Sequence, residues 1–254
     1  MQILITNDDG VSAPGLRELF SALQHLGKPV IIAPEQDNSA VSHALTMSRP
    51  LKVNRMEENI YSINGTPTDC VTIGINKVLA EKPALVVSGI NPGGNLGDDV
   101  SYSGTVSAAV EGTMLGVHSM AVSLAGDKPF HYEVAARVAA KLAAMILDRG
   151  LPRDTLLNVN VPNLARPDIK GMRFTRQGRR TYDNAIKETH DPWGKQHFWI
   201  GGGTPVWDNN DLQTDSSAIF EGFISITPIH LDLTNYEALD HLRREWDVQL
   251  PEEP

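Results

Sequence analysis

Two adjacent aspartates, Asp8 and Asp9, stand in the segment ITNDDGVSAPG close to the first residue of the chain. They follow the apolar run QILIT and precede a glycine, so both carboxylates would lie where a buried strand ends. Two carboxylates held close together in a partly buried cleft are stable only if one is protonated or a cation lies between them. The other interpretation is a plain turn, because aspartate tolerates turn geometry and glycine supplies positive φ.

Two further polar loops follow apolar runs that have the pattern of buried strands. The run at 84–90 leads into NPGGNLGDDVSYSGT, which is rich in asparagine and glycine. Ligands of open parallel sheets lie outside the carboxyl ends of the strands, so we expect these loops and the two aspartates at one edge. Carboxylate, amide and hydroxyl oxygens suit Mg²⁺ or Mn²⁺, whereas the lack of a His/Cys cluster in the sequence disfavours zinc. The loop after 29–34 supplies such oxygens from Glu35, Asp37, Asn38, Ser39 and Ser42.

The last of these loops runs into a predicted helix at Ser103, Gly104 and Thr105. A glycine-rich helix N-terminus with free N–H groups and two hydroxyls is a natural seat for a phosphate. Ser103 could instead be only the N-cap of that helix. The glycines at 93, 94 and 97 do not have the spacing of a dinucleotide-binding fingerprint. A cation site beside a phosphate seat indicates phosphoryl chemistry.

The first half of the chain alternates strand and helix patterns, as the positioning of such loops requires. We predict strands at 2–6, 29–34, 60–65, 84–90, 119–125 and 156–162. Helices are expected at 16–27, 66–79, 103–116 and 131–150. The second helix has a capping-box start, with Thr66 as cap, Pro67 in the first turn and Asp69 three residues on. The alternation predicts an α/β fold with a doubly wound, mainly parallel, Rossmann-like sheet.

The pattern changes after about residue 163. Extended segments broken by glycines follow, then a strand at 223–232, and no clear helical period appears before YEALDHLRREW near the end. We therefore divide the chain into a Rossmann-like catalytic core, 1–162, and a C-terminal extension, 163–254. The extension is predicted to hold hairpin arms, a returning strand and a terminal helix without an independent core. Such an arm often packs on a partner subunit, which favours a homo-oligomer.

Composition and charge exclude several classes of protein. An apolar content of 41% predicts a folded globular chain, and a net charge of −9 argues against a nucleic-acid polymer as partner. The single cysteine, Cys70, is expected in the core and excludes an intrachain disulfide framework. The sequence has neither a transmembrane segment nor the pattern of a signal peptide, so we expect a cytoplasmic protein without a membrane partner.

Two charged groups of the sequence have open roles. The acidic pair Asp98 and Asp99 is expected to be solvated in its loop. A basic run in the extension is either a solvated strand face or a contact to the phosphate of a longer substrate. This run contains Arg173, Arg176, Arg179 and Arg180.

At this point the chain resembles the SurE-type survival-protein nucleotidases over nearly its whole length. The resemblance depends on ITNDDGVSAPG (5–15), NSAVSHALT (38–46), GTPTDCV (65–71), VVSGINPGGNLGDDVSYSGTVSAAVEG (86–112) and GFISITPI (222–229). It implies a metal-dependent phosphatase of nucleoside 5′- and 3′-monophosphates, with some members also acting on polyphosphate ends. It also implies dimers, or pairs of dimers, that exchange the C-terminal arm between subunits.

The resemblance selects particular residues from the candidates above. It implies one divalent ion per subunit, Mg²⁺ or Mn²⁺, with four ligands: Asp8, Asp9, Ser39 and Asn91. It implies a phosphate site formed by Asn95, Ser103, Gly104 and Thr105. The catalytic residues are then Asp8 and Asp9. Many relatives differ at the positions of Ala40 and Pro92, which changes no ligand but puts the preference among nucleotides in doubt.

Two alternatives remain beside metal-assisted hydrolysis of a phosphate monoester. A phosphatase of the haloacid-dehalogenase type would use Asp8 as a covalent nucleophile, but that family has Asp-x-Asp with a downstream lysine, whereas this chain has Asp-Asp-Gly. A non-catalytic nucleotide-sensing module could have the same fold, because fold does not determine function.

Overall fold

The computed structural model describes residues 1–183, 186–201, 204–207 and 211–246. Its strands, in chain order, are β1 (Gln2–Thr6), β2 (Lys28–Pro34), β3 (Val53–Glu57), β4 (Ile60–Ile63), β5 (Leu85–Pro92), β6 (His118–Ala125), β7 (Thr155–Pro162), β8 (Gly171–Phe174), β9 (Arg180–Asp183), β10 (Ile186–His190), β11 (Gln196–Ile200), β12 (Thr204–Trp207) and β13 (Phe223–His230). Its α-helices are α1 (Pro14–Leu23), α2 (Pro67–Ile73), α3 (Gly104–Met114), α4 (Tyr132–Arg149), α5 (Asp215–Phe220) and α6 (Tyr236–Glu245).

Within the described residues, one nine-stranded sheet organises the fold, in the order β3-β4-β2-β1-β5-β6-β7-β13-β8. All neighbours from β4 to β7 in this order are parallel. Only β3 against β4, and β13 against β7, run antiparallel. The predicted mainly parallel, doubly wound sheet is therefore confirmed.

The two faces of the sheet are covered by different helices. Ile3 and Ile5 of β1 point into a buried cluster with α1 and α4, whereas Leu4 between them joins a cluster with α2 and α3. Successive side chains of a strand point to opposite faces, so an apolar run such as QILIT is stable only when both faces are covered. Cys70 is fully buried in the second cluster, as expected.

The predicted start of the second helix has a local cause that the structure bears out. The Thr66 hydroxyl accepts a hydrogen bond from the Asp69 N–H at 3.1 Å, and the Asp69 carboxylate accepts one from the Thr66 N–H at 2.9 Å. This is the reciprocal capping box, with Pro67 in the first turn. The α-helix ends at Ile73, however, earlier than predicted, and continues as a π-helical turn, Gly74–Val78.

The C-terminal extension holds the predicted hairpins, returning strand and terminal helix. β10 pairs with β11 and β12 with β9, both antiparallel, although residues 184–185 and 202–203 of these arms lie outside the described residues. β13 pairs with β7, and its Ile224 and Ile226 join the cluster beneath α4. The prediction that no helix precedes the terminal one was wrong, because the short α5 begins at the Thr214 cap. β3 was also not predicted, since VNRME is largely exposed and polar.

No helix in the described ranges combines the length and the apolar character needed to cross a bilayer.

Candidate active site at the carboxyl edge of the sheet

A cleft of about 970 Å³ opens at the carboxyl edge of the sheet, where the loops after β1, β2 and β5 meet. We call residues 35–46 the serine loop and residues 93–105 the phosphate loop. The loop after β1 contributes both aspartates directly beyond the strand. Six of the eight predicted site residues line the cleft: Asp8, Asp9, Ser39, Asn91, Asn95 and Ser103. The other two, Gly104 and Thr105, pack against Asp8 at the start of α3.

Asp8 lies between the end of β1 and the first turn of α3. It is 6% exposed, and its carboxylate accepts a hydrogen bond from the Thr105 hydroxyl. Burial raises the pKa of Asp8, and the hydrogen bonds from Thr105 oppose that rise. A Cβ on Gly104 would lie 2.8 Å from the Asp8 Cβ, so only glycine allows the helix to approach this closely. The aspartate is thus fixed by the same helix turn that was predicted to bind phosphate.

Asp9 is half-buried, and its Oδ2 is a buried oxygen with no hydrogen-bond partner in the described part of the chain. Burial and the negative charges of Asp8 and Asp37 raise the pKa of Asp9 to about 7. A buried carboxylate oxygen without a donor, next to two other carboxylates, is the environment that a divalent cation would stabilise.

The oxygen donors that line the cleft fit a hard cation. Among the described residues, no group of three or more His, Cys, Asp or Glu side chains is arranged to hold a metal ion. The predicted set differs from such a group, because it combines two carboxylates with one hydroxyl and one amide. The Asn91 Nδ2 donates to the Gly93 carbonyl at 2.8 Å, which keeps its acceptor oxygen available. Oxygen donors of mixed type suit Mg²⁺ or Mn²⁺.

Ser39 lies in an exposed part of the serine loop. Both its N–H and its hydroxyl donate to the Asp37 Oδ1, at 2.7 and 2.6 Å. Since the hydroxyl donates its proton to Asp37, the lone pairs of Ser39 Oγ remain for a cation. Asp37 was one of several oxygen donors expected from this loop, and the structure places it at the same cleft.

Other contacts attach the serine loop to the rest of the site. The Ser42 hydroxyl donates to the Ser101 carbonyl at 2.8 Å, and the Ser42 N–H donates to the Tyr102 carbonyl at 3.1 Å. His43 Nε2 and Glu111 Oε2 are 2.9 Å apart, which joins the loop to α3. The hydrogen bond with His43 lowers the pKa of Glu111, and one from the Thr72 hydroxyl adds to this effect.

Ser103 lines the cleft and is also the N-cap of α3, the alternative role that the sequence allowed. Its hydroxyl accepts a hydrogen bond from the Val106 N–H at 3.1 Å, so it is the N-cap of α3. The first N–H groups of an α-helix have no partners inside the helix and carry its positive dipole end. The start of α3 therefore presents its positive dipole end to an anion on the side of the cleft where Asp8 lies. Some of its N–H groups already have partners, because Val106 donates to Ser103 and Thr105 donates to Asp8.

The basic run of the extension is paired with acids. Arg173 lies 2.8 Å from Glu221, and Arg176 pairs with Asp211. Arg180 pairs with Asp99 and lies over the Trp207 ring, 4.7 Å from its centroid. The expectation that Asp99 is a solvated loop charge was wrong, because β9 brings Arg180 onto it. Arg179 is exposed.

The sequence analysis missed a set of buried polar side chains beneath the phosphate loop. Ser123 of β6 and Asn158 and Asn160 of β7 are fully buried, and they hydrogen-bond to Asn95. The signal was present in LLNVNVP, where two asparagines alternate inside a strand that is otherwise apolar. A polar residue buried in a sheet must find a partner, so such residues indicate a loop above them.

The chain is similar to known proteins over nearly its whole length. The family model described as "Survival protein SurE" matches residues 3–184. The 5′-nucleotidase SurE of Geobacter sulfurreducens is 52% identical over 250 residues, which cover 98% of this chain and 94% of the relative. The 5′-nucleotidase SurE of Geotalea daltonii is 50% identical over 98% of this chain and 100% of the relative. The crystal structure of the SurE protein from Aquifex aeolicus superimposes with a TM-score of 0.85 at 41% identity, covering 96% of this chain and 99% of that one.

The fold and the cleft define a doubly wound α/β protein with an acidic, oxygen-lined site facing a helix N-terminus. The family model covers well over half of the chain, and the relatives match it almost end to end. The chain belongs to the SurE family, which confirms the resemblance that the sequence motifs indicated.

Proposed function

We propose that the chain is a metal-dependent phosphatase that hydrolyses nucleoside 5′- and 3′-monophosphates to nucleoside and phosphate, and also acts on polyphosphate ends. The observation that carries the proposal is the pair of aspartates that lines the cleft, in which the buried Asp9 Oδ2 has no hydrogen-bond partner among the described residues. The names of the relatives, 5′-nucleotidase, support the hydrolysis of 5′-monophosphates.

Four oxygen ligands would hold the divalent ion: Asp8, Asp9, Ser39 and Asn91. When bound, Mg²⁺ or Mn²⁺ supplies charge that polarises a phosphoryl oxygen and makes a bound water more acidic. Asp37 holds the Ser39 hydroxyl with its proton turned away from the ion. The Asp8 carboxylate is held by Thr105. Either Asp8 or Asp9 would guide the proton of the attacking water through an oxygen that does not bind the ion.

The phosphate would lie against the start of α3 and the phosphate loop. Asn95, the Ser103 hydroxyl and the Gly104 N–H would donate to oxygens that become more negative as the reaction proceeds. Thr105 would act through Asp8, whose carboxylate accepts its hydrogen bonds. These donors belong to a fixed helix end and a buried loop, so no reorganisation is needed when the charge develops. The product is inorganic phosphate, held by the same groups until release.

We further propose that residues 1–162 form the catalytic core, that 163–254 form an extension without an independent core, and that the hairpin arm of this extension is exchanged in a homodimer or tetramer. Support comes from the β10–β11 hairpin, whose large apolar side chains are exposed: Ile186, Phe198, Trp199 and Ile200. Exposed apolar patches of this kind mark contact surfaces. Ile200 also lines the cleft, so an exchanged arm would affect substrate access.

The proposal is tested by phosphate release from 5′- and 3′-monophosphates and short polyphosphate, with Mg²⁺, Mn²⁺ or a chelator. Turnover should require the metal and disappear with the chelator. Full activity in the chelator would overturn the metal-dependent mechanism. Tight nucleotide binding without phosphate release, with Mn²⁺ present, would support the sensing module instead, and a trapped phosphoaspartate at Asp8 would support the dehalogenase-type reaction.

A further inference from the structure

A row of polar side chains crosses the sheet beneath the phosphate loop. Ser123 of β6 and Asn160 of β7 are direct register partners, so their side chains stand on the same face. Asn158 lies two residues before Asn160 and shares that face. All three residues are fully buried. Burying a hydroxyl and two amides costs free energy unless each is hydrogen-bonded, so their partners show what this row is for.

The partner of all three side chains is Asn95 in the phosphate loop. The Asn95 N–H donates to Asn160 Oδ1 at 2.8 Å, and Asn160 Nδ2 donates back to the Asn95 carbonyl at 3.0 Å. Asn158 Nδ2 donates to the same carbonyl at 2.9 Å. Finally, the Asn95 Nδ2 donates to Ser123 Oγ at 2.8 Å. Both backbone groups of Asn95 and the nitrogen of its side chain are therefore held from below.

The side chain of Asn95 also lines the cleft and is 8% exposed. A carboxamide nitrogen carries two hydrogens, so one can donate to Ser123 while the second remains for an anionic oxygen. A donor already fixed in place loses little conformational freedom when the anion binds. The asparagines hold the backbone, whereas Ser123 is the one residue in the described part of the chain that holds the amide group of Asn95.

We propose that Ser123 and Asn160 are positioning residues that fix the Asn95 amide as a donor to the substrate phosphate. This inference rests on the proposed function, because it takes the cleft as the phosphate site. Asn160 sets the position of the Asn95 backbone, and Ser123 sets the orientation of its side chain. A second anchor holds the same loop two residues on, where the Gly97 N–H donates to the buried Asp215 carboxylate at 2.8 Å.

The decisive variant is Ser123→Ala, which removes one oxygen and leaves the backbone contacts of Asn95 intact. Ser119→Ala is the matched control, because Ser119 is equally buried in β6 but its hydroxyl donates to the Val117 carbonyl, away from the loop. The measurements are kcat and KM for a nucleoside 5′-monophosphate with Mn²⁺, the melting temperature, and the Kd of inorganic phosphate by calorimetry.

We expect Ser123→Ala to lower kcat/KM by about tenfold and to weaken phosphate binding, the size of effect typical of losing an outer partner of a site group. Its melting temperature should match that of Ser119→Ala, whose kinetic constants should stay near wild type. Equal kcat/KM and equal phosphate Kd in the two variants would show that Ser123 is only structural, and would overturn the proposal.

Asn160→Asp tests the backbone contact. The substitution keeps an acceptor for the Asn95 N–H but places a carboxylate oxygen against the Asn95 carbonyl. We expect a larger fall in kcat/KM than for Ser123→Ala, and wild-type kcat/KM in a folded Asn160→Asp protein would contradict the role of Asn160. If Asn160→Asp does not fold, the Ser123→Ala comparison alone decides.

The phosphate Kd separates this inference from the proposed function. If the wild type binds phosphate but hydrolyses no monophosphate, the proposed function fails, and the ratio of the two variants' Kd values still decides on Ser123. If the wild type hydrolyses monophosphates and Ser123→Ala behaves like the control, only the positioning role fails. A wild type that neither binds phosphate nor releases it overturns both.

Discussion

The phosphate loop and the serine loop face the same cleft but are held in different ways. The phosphate loop is tied from below by fully buried side chains, among them Asn158, Asn160 and Asp215. The serine loop is largely exposed, and Ser39 is held by Asp37, which is itself at the surface. Buried hydrogen bonds have no competition from water, whereas exposed ones do. We infer that the phosphate side is preformed and that the metal side gains much of its order when a cation binds.

The largest effect should come from a change at Asp9, which lines the cleft that both loops face. Asp9→Asn removes the charge from the carboxylate whose Oδ2 has no donor among the described residues, while keeping its shape. We expect phosphate release to fall about 1000-fold, at the upper end for losing one electrostatic contact in a transition state. The melting temperature without metal should not fall, because the pKa of Asp9 is raised to about 7 and its charge is unfavourable in the apo-protein. Asp148→Asn, an exposed change on α4, is the control. Activity in Asp9→Asn equal to that of the control would contradict the role of Asp9.

The second-largest effect should come from a substitution at Gly104, which tests whether the phosphate side is preformed. In Gly104→Ala the new methyl group would lie 2.8 Å from the Asp8 Cβ, so either Asp8 or the first turn of α3 must move. We expect about a 100-fold loss of activity, with a destabilisation of about 1–3 kcal/mol from overpacking. Activity and urea unfolding are the measurements, with Thr113→Ala in the last turn of α3 as the control. Wild-type activity in Gly104→Ala would mean that this turn is more adaptable than its packing indicates.

A smaller effect is expected from a substitution in the serine loop, because it removes only one uncharged ligand of the proposed metal ion. Ser39→Ala should weaken apparent Mn²⁺ binding by roughly tenfold, comparable to losing a supporting contact of a metal site, and should leave the melting temperature of the apo-protein unchanged. Titration of activity with Mn²⁺ gives the apparent affinity. If saturating Mn²⁺ does not restore turnover, Ser39 has a role beyond binding the ion.

The smallest effect concerns stability and reports on the attachment of the serine loop to α3. The pKa of Glu111 is lowered by His43, so its charge stabilises the fold above its ordinary pKa of about 4.3, and this contribution disappears as the pH falls through the lower folded value. Glu111→Gln should therefore lower the free energy of unfolding by about 1 kcal/mol at neutral pH, and the difference should shrink below about pH 4. Urea unfolding at several pH values measures it, and a difference independent of pH would refute the ionic contribution.

Most of the fold could be predicted because it depends on local patterns. Apolar runs such as QILIT and the capping box at Thr66 identify their own secondary structure, and parallel strands bring their carboxyl ends together. The short, exposed β3 and the six-residue α5 have too few apolar positions to show a period. The two aspartates could be placed at the edge from the end of β1 alone. The hydrogen bonds of Asn95 could not be predicted, because they depend on the register of Ser123 against Asn160 across two strands.

The position of β13 has a consequence for how the chain completes its fold. β13 is inserted between β7 and β8, although the chain builds β8, both hairpins and α5 after β7 before it reaches Phe223. Until then β7, which carries Asn158 and Asn160, is an apolar edge strand with unpaired backbone groups. Such edges recruit other strands and aggregate. A ribosome-bound or truncated chain that stops before β13 would therefore expose the strand whose asparagines hold the loop beside the cleft, as an edge open to pairing with a neighbour.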